Sequence, residues 1–115
     1  MFISNAQMDY KFLNMRKMNS DQITIICFIT VKKETKLLVR DELEHIALMT
    51  QKEAGNINYC LHVSTEDDKA FIIYENWKDQ KALDDHMAQP YLKNFLDNID
   101  EWLECPIEEK VCRLL

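Results

Sequence analysis

Residues 71–77, FIIYENW, constrain the fold more than any other stretch of the chain. A strand covered on one face alternates apolar and polar side chains, because successive side chains point to opposite sides. Here Phe71 and Ile73 share one side, and Ile72 and Tyr74 share the other. Both sides therefore ask for cover, yet Glu75 stands between Tyr74 and Trp77. A fold for this chain must enclose both faces of the strand and account for a carboxylate within it.

The neighbouring segments indicate what supplies the first cover. Residues 22–32, QITIICFITVK, are rich in β-branched residues and read as a buried strand. Ile23, Ile25, Cys27, Ile29 and Val31 share one side, and Thr24, Ile26, Phe28 and Thr30 the other. That second side is wet enough for a pocket and apolar enough to be covered. Residues 34–54 carry Val39, Leu43, Ile46, Ala47, Thr50 and Ala54 at helical spacing, with His45 on the charged side. The chain's single glycine, Gly55, follows, and this predicts a left-handed helix cap. Residues 56–64 alternate cleanly, with Ile57, Tyr59, Leu61 and Val63 opposed to Asn58, Cys60, His62 and Ser64. A short acidic link joins them to FIIYENW as a hairpin.

Asp79 is a fair cap for a second helix, which Pro90 interrupts and restarts. Its stripe runs through Ala82, Leu83, Met87, Tyr91, Phe95, Leu96, Ile99, Trp102 and Leu103. The end, CPIEEKVCRLL, predicts a last strand burying Ile107 and Val111, with Leu114 or Leu115 as further candidates. The order β-α-β-β-α-β is an α+β, ferredoxin-like antiparallel sheet with both helices on one face. Residues 1–20 stand apart as an N-terminal extension to a single domain over 21–115, either packed on that domain or on a neighbour. Nothing in the chain is large enough to cover the second sheet face, and an open apolar face is unusual for a monomer. A second copy is the simplest cover, which predicts a homodimer whose sheets pack face to face as a dimeric α/β-barrel.

Composition narrows the function classes. With 115 residues and 47% hydrophobic content, one domain can bury a true core. A formal net charge of −6 argues against nucleic acid as partner, because phosphate binding needs a basic patch. The four cysteines, Cys27, Cys60, Cys105 and Cys112, show no metal-ligand spacing. Cys27 and Cys60 read as small buried hydrophobes. The first residues lack the pattern of a secretory leader, and no apolar run reaches the roughly 18 residues of a membrane span. The expected setting is the cytoplasm, away from membranes and with reduced thiols.

In order along the chain, TQKEAG (50–55), NYCLH (58–62), FIIYENW (71–77), ALDDH (82–86) and QPY (89–91) resemble the antibiotic biosynthesis monooxygenase (ABM) family. Within it they are most similar to the small quinol-monooxygenase-like branch, over about residues 22–114. The resemblance implies a dimeric ferredoxin-like barrel, in agreement with the face argument. It also implies a monooxygenase that oxidises a small aromatic or quinol-type substrate with O₂ and uses no metal, flavin or haem. In such a scheme the substrate reduces O₂, and the protein supplies binding, proton transfer and electrostatics. One glycine in all excludes a G-x-G-x-x-G dinucleotide loop.

The candidate catalytic residues are His86, Asn58 and Glu75, and the candidate substrate-binding residues are His62, Tyr74, Trp77 and Phe28. His86 matches the family's histidine. It reads as a general base, since imidazole titrates near neutral pH, or as a structural histidine at the helix–sheet seam. A buried Glu75 needs a partner, and by family position that partner is His86, whose tautomer it would fix. The alternative is a Glu75 at a solvent-exposed strand end. Asn58 and His62 lie two strand steps apart on one side and could enter one pocket; alternatively Asn58 is a turn residue and His62 exposed or at an interface. Tyr74 and Trp77 have opposite parity. Tyr74 joins Asn58 and His62 if Phe71 pairs with Val63, a one-residue shift reverses this, and the resemblance favours Trp77. Haem degradation, found in a sister branch, is disfavoured because the first strand has no Asn and the positions near Phe95 have no His. An isomerase or processing enzyme for a small oxygenated metabolite, or a non-catalytic ligand-binding dimer, are the competing functions.

Overall fold

Strand β1 (Ile23–Thr30) leads through a 3-10 turn (Lys33–Thr35) into helix α1 (Lys36–Thr50) in a computed structural model that describes residues 21–115. The hairpin β2 (Asn56–Val63) and β3 (Ala70–Trp77) follows. Three short helices come next, α2 (Gln80–Met87), α3 (Pro90–Asp97) and α4 (Ile99–Trp102), and then β4 (Glu108–Arg113). The strands form one antiparallel sheet in the order β2-β3-β1-β4, the expected ferredoxin-like arrangement. The expected N-terminal extension, residues 1–20, lies outside the described residues.

The second helix is in pieces for a local reason. Asp79 caps α2 by accepting a hydrogen bond from the Ala82 N–H at 2.9 Å. Pro90 opens α3 at its first position, where a missing N–H costs nothing.

Register fixes the faces. Val63 pairs with Phe71, Tyr59 with Glu75, and across the sheet Ile25 pairs with Glu75 and Cys27 with Ile73. One face therefore gathers Ile25, Cys27, Ile29, Tyr59, Phe71, Ile73, Glu75 and Trp77, all buried. Val39, Leu43, Ile46 and Thr50 of α1 press on it, with Phe95 of a later helix and Leu103 just past the last one. Each large apolar side chain buried there contributes roughly 1.5–3 kcal/mol. The other face carries Ile26, Phe28, Ile72 and Tyr74, and no described helix packs on it. Phe28 and Tyr74 are each 41% exposed.

Several local expectations are corrected. Helix α1 ends at Thr50, short of residue 54, and continues only as hydrogen-bonded turns such as Lys52 N–H to Met49 O and Glu53 N–H to Thr50 O. Gly55 does not have a positive φ. Its place is explained by close approach, because a Cβ there would lie 2.3 Å from the Ala82 Cβ on α2. Gly55 lets the end of the first α-β unit touch the second helix. Cys60 is exposed while Cys27 is buried, since Cys60 pairs with Tyr74 on the open face. Strand β4 is exposed along its whole length, with Val111 59% exposed and only Ile107 partly buried before it. As an edge strand paired only to β1, it receives no cover from the helices.

Candidate active site

Between the helix-covered sheet face and helices α1, α2 and α3 lies a cavity of about 200 Å³. Its sheet side is formed by Ile25, Cys27, Tyr59, Ile73 and Glu75, and its helix side includes Leu43, Leu83, His86 and Phe95. An apolar cavity of roughly 150 Å³ is enough to hold benzene, so a single substituted ring fits the space.

His86 comes from α2 and is 3% exposed. Its Nδ1 lies 2.7 Å from Glu53 Oε2, and the Tyr91 hydroxyl donates to the same carboxylate oxygen. The indole of Trp77 backs the imidazole, with ring centroids 4.5 Å apart. A carboxylate at Nδ1 holds the proton on that nitrogen and leaves Nε2 with its lone pair. Among the described residues Nε2 has no hydrogen-bond partner. Burial, reinforced by the Glu53 carboxylate, pushes the Tyr91 hydroxyl up to about 12, so Tyr91 remains a donor at neutral pH.

Glu75 is 5% exposed and accepts a hydrogen bond from the Trp77 indole N–H at 2.7 Å. The expected Glu75–His86 hydrogen bond is thus replaced by two separate pairs, Glu75 with Trp77 and His86 with Glu53. Residues two apart on a strand project from the same face, which brings Trp77 to Glu75. Burial raises the Glu75 carboxyl to about 7; the Trp77 N–H opposes the shift, and the Glu109 and Glu53 carboxylates add to it. The Cys27 thiol lies 3.8 Å from Glu109 Oε2 and is pushed up to about 12, first by burial and then by Glu75 and Glu109. Burial likewise raises Tyr59. Among the described residues no group of three or more His, Cys, Asp or Glu is arranged to hold a metal ion. The chemistry this wall offers is proton transfer: a base at His86, an acid near neutrality at Glu75, and apolar walls around them.

The profile of the antibiotic biosynthesis monooxygenase family matches residues 22–98, which hold all of β1 through α3 and every one of these groups except Glu109. The chain belongs to that family. YcnE of Bacillus subtilis, which carries the name of a monooxygenase, is 26% identical over 86 residues, 75% of this chain and 90% of its own length. The Synechocystis protein sll1783 is 29% identical over 65 residues, 56% of this chain; the match spans 44% of that relative, less than half of it. The solved structure of PA3566 from Pseudomonas aeruginosa superposes with a TM-score of 0.78 at 25% identity, covering 84% of this chain and 97% of that one.

On this ABM fold the sequence-derived site residues divide between two faces. His86 and Glu75 line the cavity, and Trp77, fully buried, stands behind His86. Asn58, His62, Tyr74 and Phe28 do not reach it. The Val63–Phe71 register puts them on the opposite side of the sheet. Asn58 Oδ1 accepts from the Asn76 side-chain amide at 3.0 Å, in a polar ladder that also takes in Thr24 and Gln22. The chamber thus sits within one chain, beneath its own helices, and is not the space between two sheets. Sequence reasoning missed Glu53 and Tyr91 as site residues. Both stand in the family-like strings TQKEAG and QPY, which were the available signal. A glutamate just past a helix otherwise reads as solvated.

Proposed function

We propose that this ABM protein is a monooxygenase that oxidises a small quinol-type aromatic with O₂, with no cofactor in the reaction. The observation that carries the reading is His86 in the wall of an apolar, ring-sized cavity, its far nitrogen held by the Glu53 carboxylate. His86 Nε2 takes the proton of a quinol hydroxyl, and Glu53 balances the imidazolium that forms. The resulting phenolate is electron-rich enough to pass one electron to O₂. Semiquinone and superoxide then join at a neighbouring ring carbon, forming a C–O bond. The O–O bond breaks as that carbon loses its hydrogen, and the distal oxygen leaves as water. Hydroquinone and O₂ so give a hydroxyquinone and water, with all four electrons drawn from the ring. Glu75, on the same wall and titrating near 7, supplies the proton that leaves with the water. Oxygen uptake with quinols, with one atom of labelled O₂ appearing in the product, is the expected result. Absence of uptake with any quinol or anthrone that binds would end the reading.

The functional unit in this proposal is a cytoplasmic homodimer. Phe28 and Tyr74, with Ile26 and Ile72 between them, form the centre of a sheet face that no described helix covers. Burying that face against a second copy removes from water what the helices leave open. The expected light-scattering mass is that of two chains, falling to one in a Tyr74→Glu variant. A single-chain mass for the unaltered protein would overturn the dimer. Among the described residues no helix is long and apolar enough to cross a membrane.

A further inference from the structure

The cavity has an uneven charge. Its wall contains three carboxylates, Glu75, Asp84 and Glu109, and neither lysine nor arginine. The one basic side chain on it, His86, already faces Glu53. We propose that this cavity admits uncharged single-ring compounds that donate hydrogen bonds and refuses the same rings bearing a carboxylate. This names the substrate class of the site and rests on the oxygenase reading only for what happens after binding.

A carboxylate entering an apolar cavity loses its water and must find a cation or several donors in exchange. Here the charged groups it would meet are carboxylates of its own sign, the buried Glu75 and the more exposed Asp84 and Glu109. A hydroxyl gains instead. Glu75 has one oxygen satisfied by Trp77, while the other makes no hydrogen bond among the described residues. An unpaired acceptor on the cavity wall is completed by a ligand's O–H. The neighbouring Glu109, at the β4 edge, adds a second negative group to the same wall and raises the cost of any anion. Volume sets the other limit, since about 200 Å³ leaves room for one ring and small substituents.

The test is a pair of matched probes, hydroquinone and 4-hydroxybenzoate, titrated without oxygen near neutral pH and followed by the shift in melting temperature. Hydroquinone is expected to raise the melting temperature saturably, and 4-hydroxybenzoate to need at least about 100-fold more for the same shift. A Glu109→Lys variant, which puts a cation on the wall, is expected to gain 4-hydroxybenzoate binding. Comparable midpoints for the two probes in the unaltered protein, or binding of neither, would overturn the proposal. So would a folded Glu109→Lys variant that gains nothing. Selective binding of hydroquinone without its consumption in air would uphold the charge filter and remove the oxygenase reading, so the two fail separately.

Discussion

Replacing His86 by glutamine is expected to slow quinol-dependent oxygen uptake by about 100- to 10,000-fold, the usual loss when a general base is removed. Glutamine keeps most of the side chain's volume and can still donate to Glu53, so the packing against Trp77 is retained. It cannot take up a proton. The loss should fall on kcat, with quinol binding largely preserved, because glutamine keeps the shape of the wall at that position and the other lining residues are unchanged. Glu53→Gln is the companion variant. It keeps a hydrogen bond to Nδ1 but removes the charge that balances the imidazolium, and a smaller loss of kcat is expected. Stopped assays under saturating quinol and O₂ separate the two effects. If His86→Gln turns over at the unaltered rate, His86 is structural and the proton leaves by another route.

Glu75→Gln is expected to stabilise the protein at neutral and alkaline pH by about 3 kcal/mol. Burial lifts the Glu75 carboxyl from its ordinary 4.5 to about 7, so between those values the folded state holds a proton that the unfolded chain has released. The stabilisation this gives is complete below about 4.5 and is lost as pH rises through about 7. At about 1.4 kcal/mol per unit of displacement, the difference reaches the stated size. Glutamine is neutral throughout and can still accept from the Trp77 indole, so the variant should lack this slope. Urea unfolding of both proteins at a series of pH values measures it as a difference, in which the other acids cancel. A difference that stays constant from acid to alkaline pH would show that Glu75 is ionised without cost. A buried acid kept at this expense fits a stability–function compromise, in which the proposed oxygenation uses its proton.

Much of this was legible because backbone geometry alone imposes it. Alternation in residues 58–63 and 71–77 placed the hairpin's side chains on the faces they occupy, but it failed at Ile57, where a register shift between Asn56 and Asn58 leaves that side chain 52% exposed. The caution about register was settled by the Val63–Phe71 pair. Asp79 and Pro90 marked the breaks in the second helix, since both act within a few residues of themselves. Gly55 was singled out correctly, though for the wrong cause. Its constraint is the Ala82 methyl, 27 residues further along the chain, and local rules do not see that far. The cavity wall was half legible. His86 and Glu75 were named, but each was given the other as partner, whereas His86 reaches 33 residues back to Glu53.

By itself the sequence determined which side chains share a face, where most of the turns fall and that the helices cover one sheet face and not the other, because strand and helix periods are properties of the local backbone. Only the tertiary structure decided which of the two faces holds the cavity. That choice depends on the side to which α1, α2 and α3 fold, and a strand apolar on both faces carries no mark of it. Folding to the Glu75 side buried that carboxylate beside Trp77 and brought Glu53 to His86. It also left Asn58, His62, Tyr74 and Phe28 on the sheet face that faces away from the cavity.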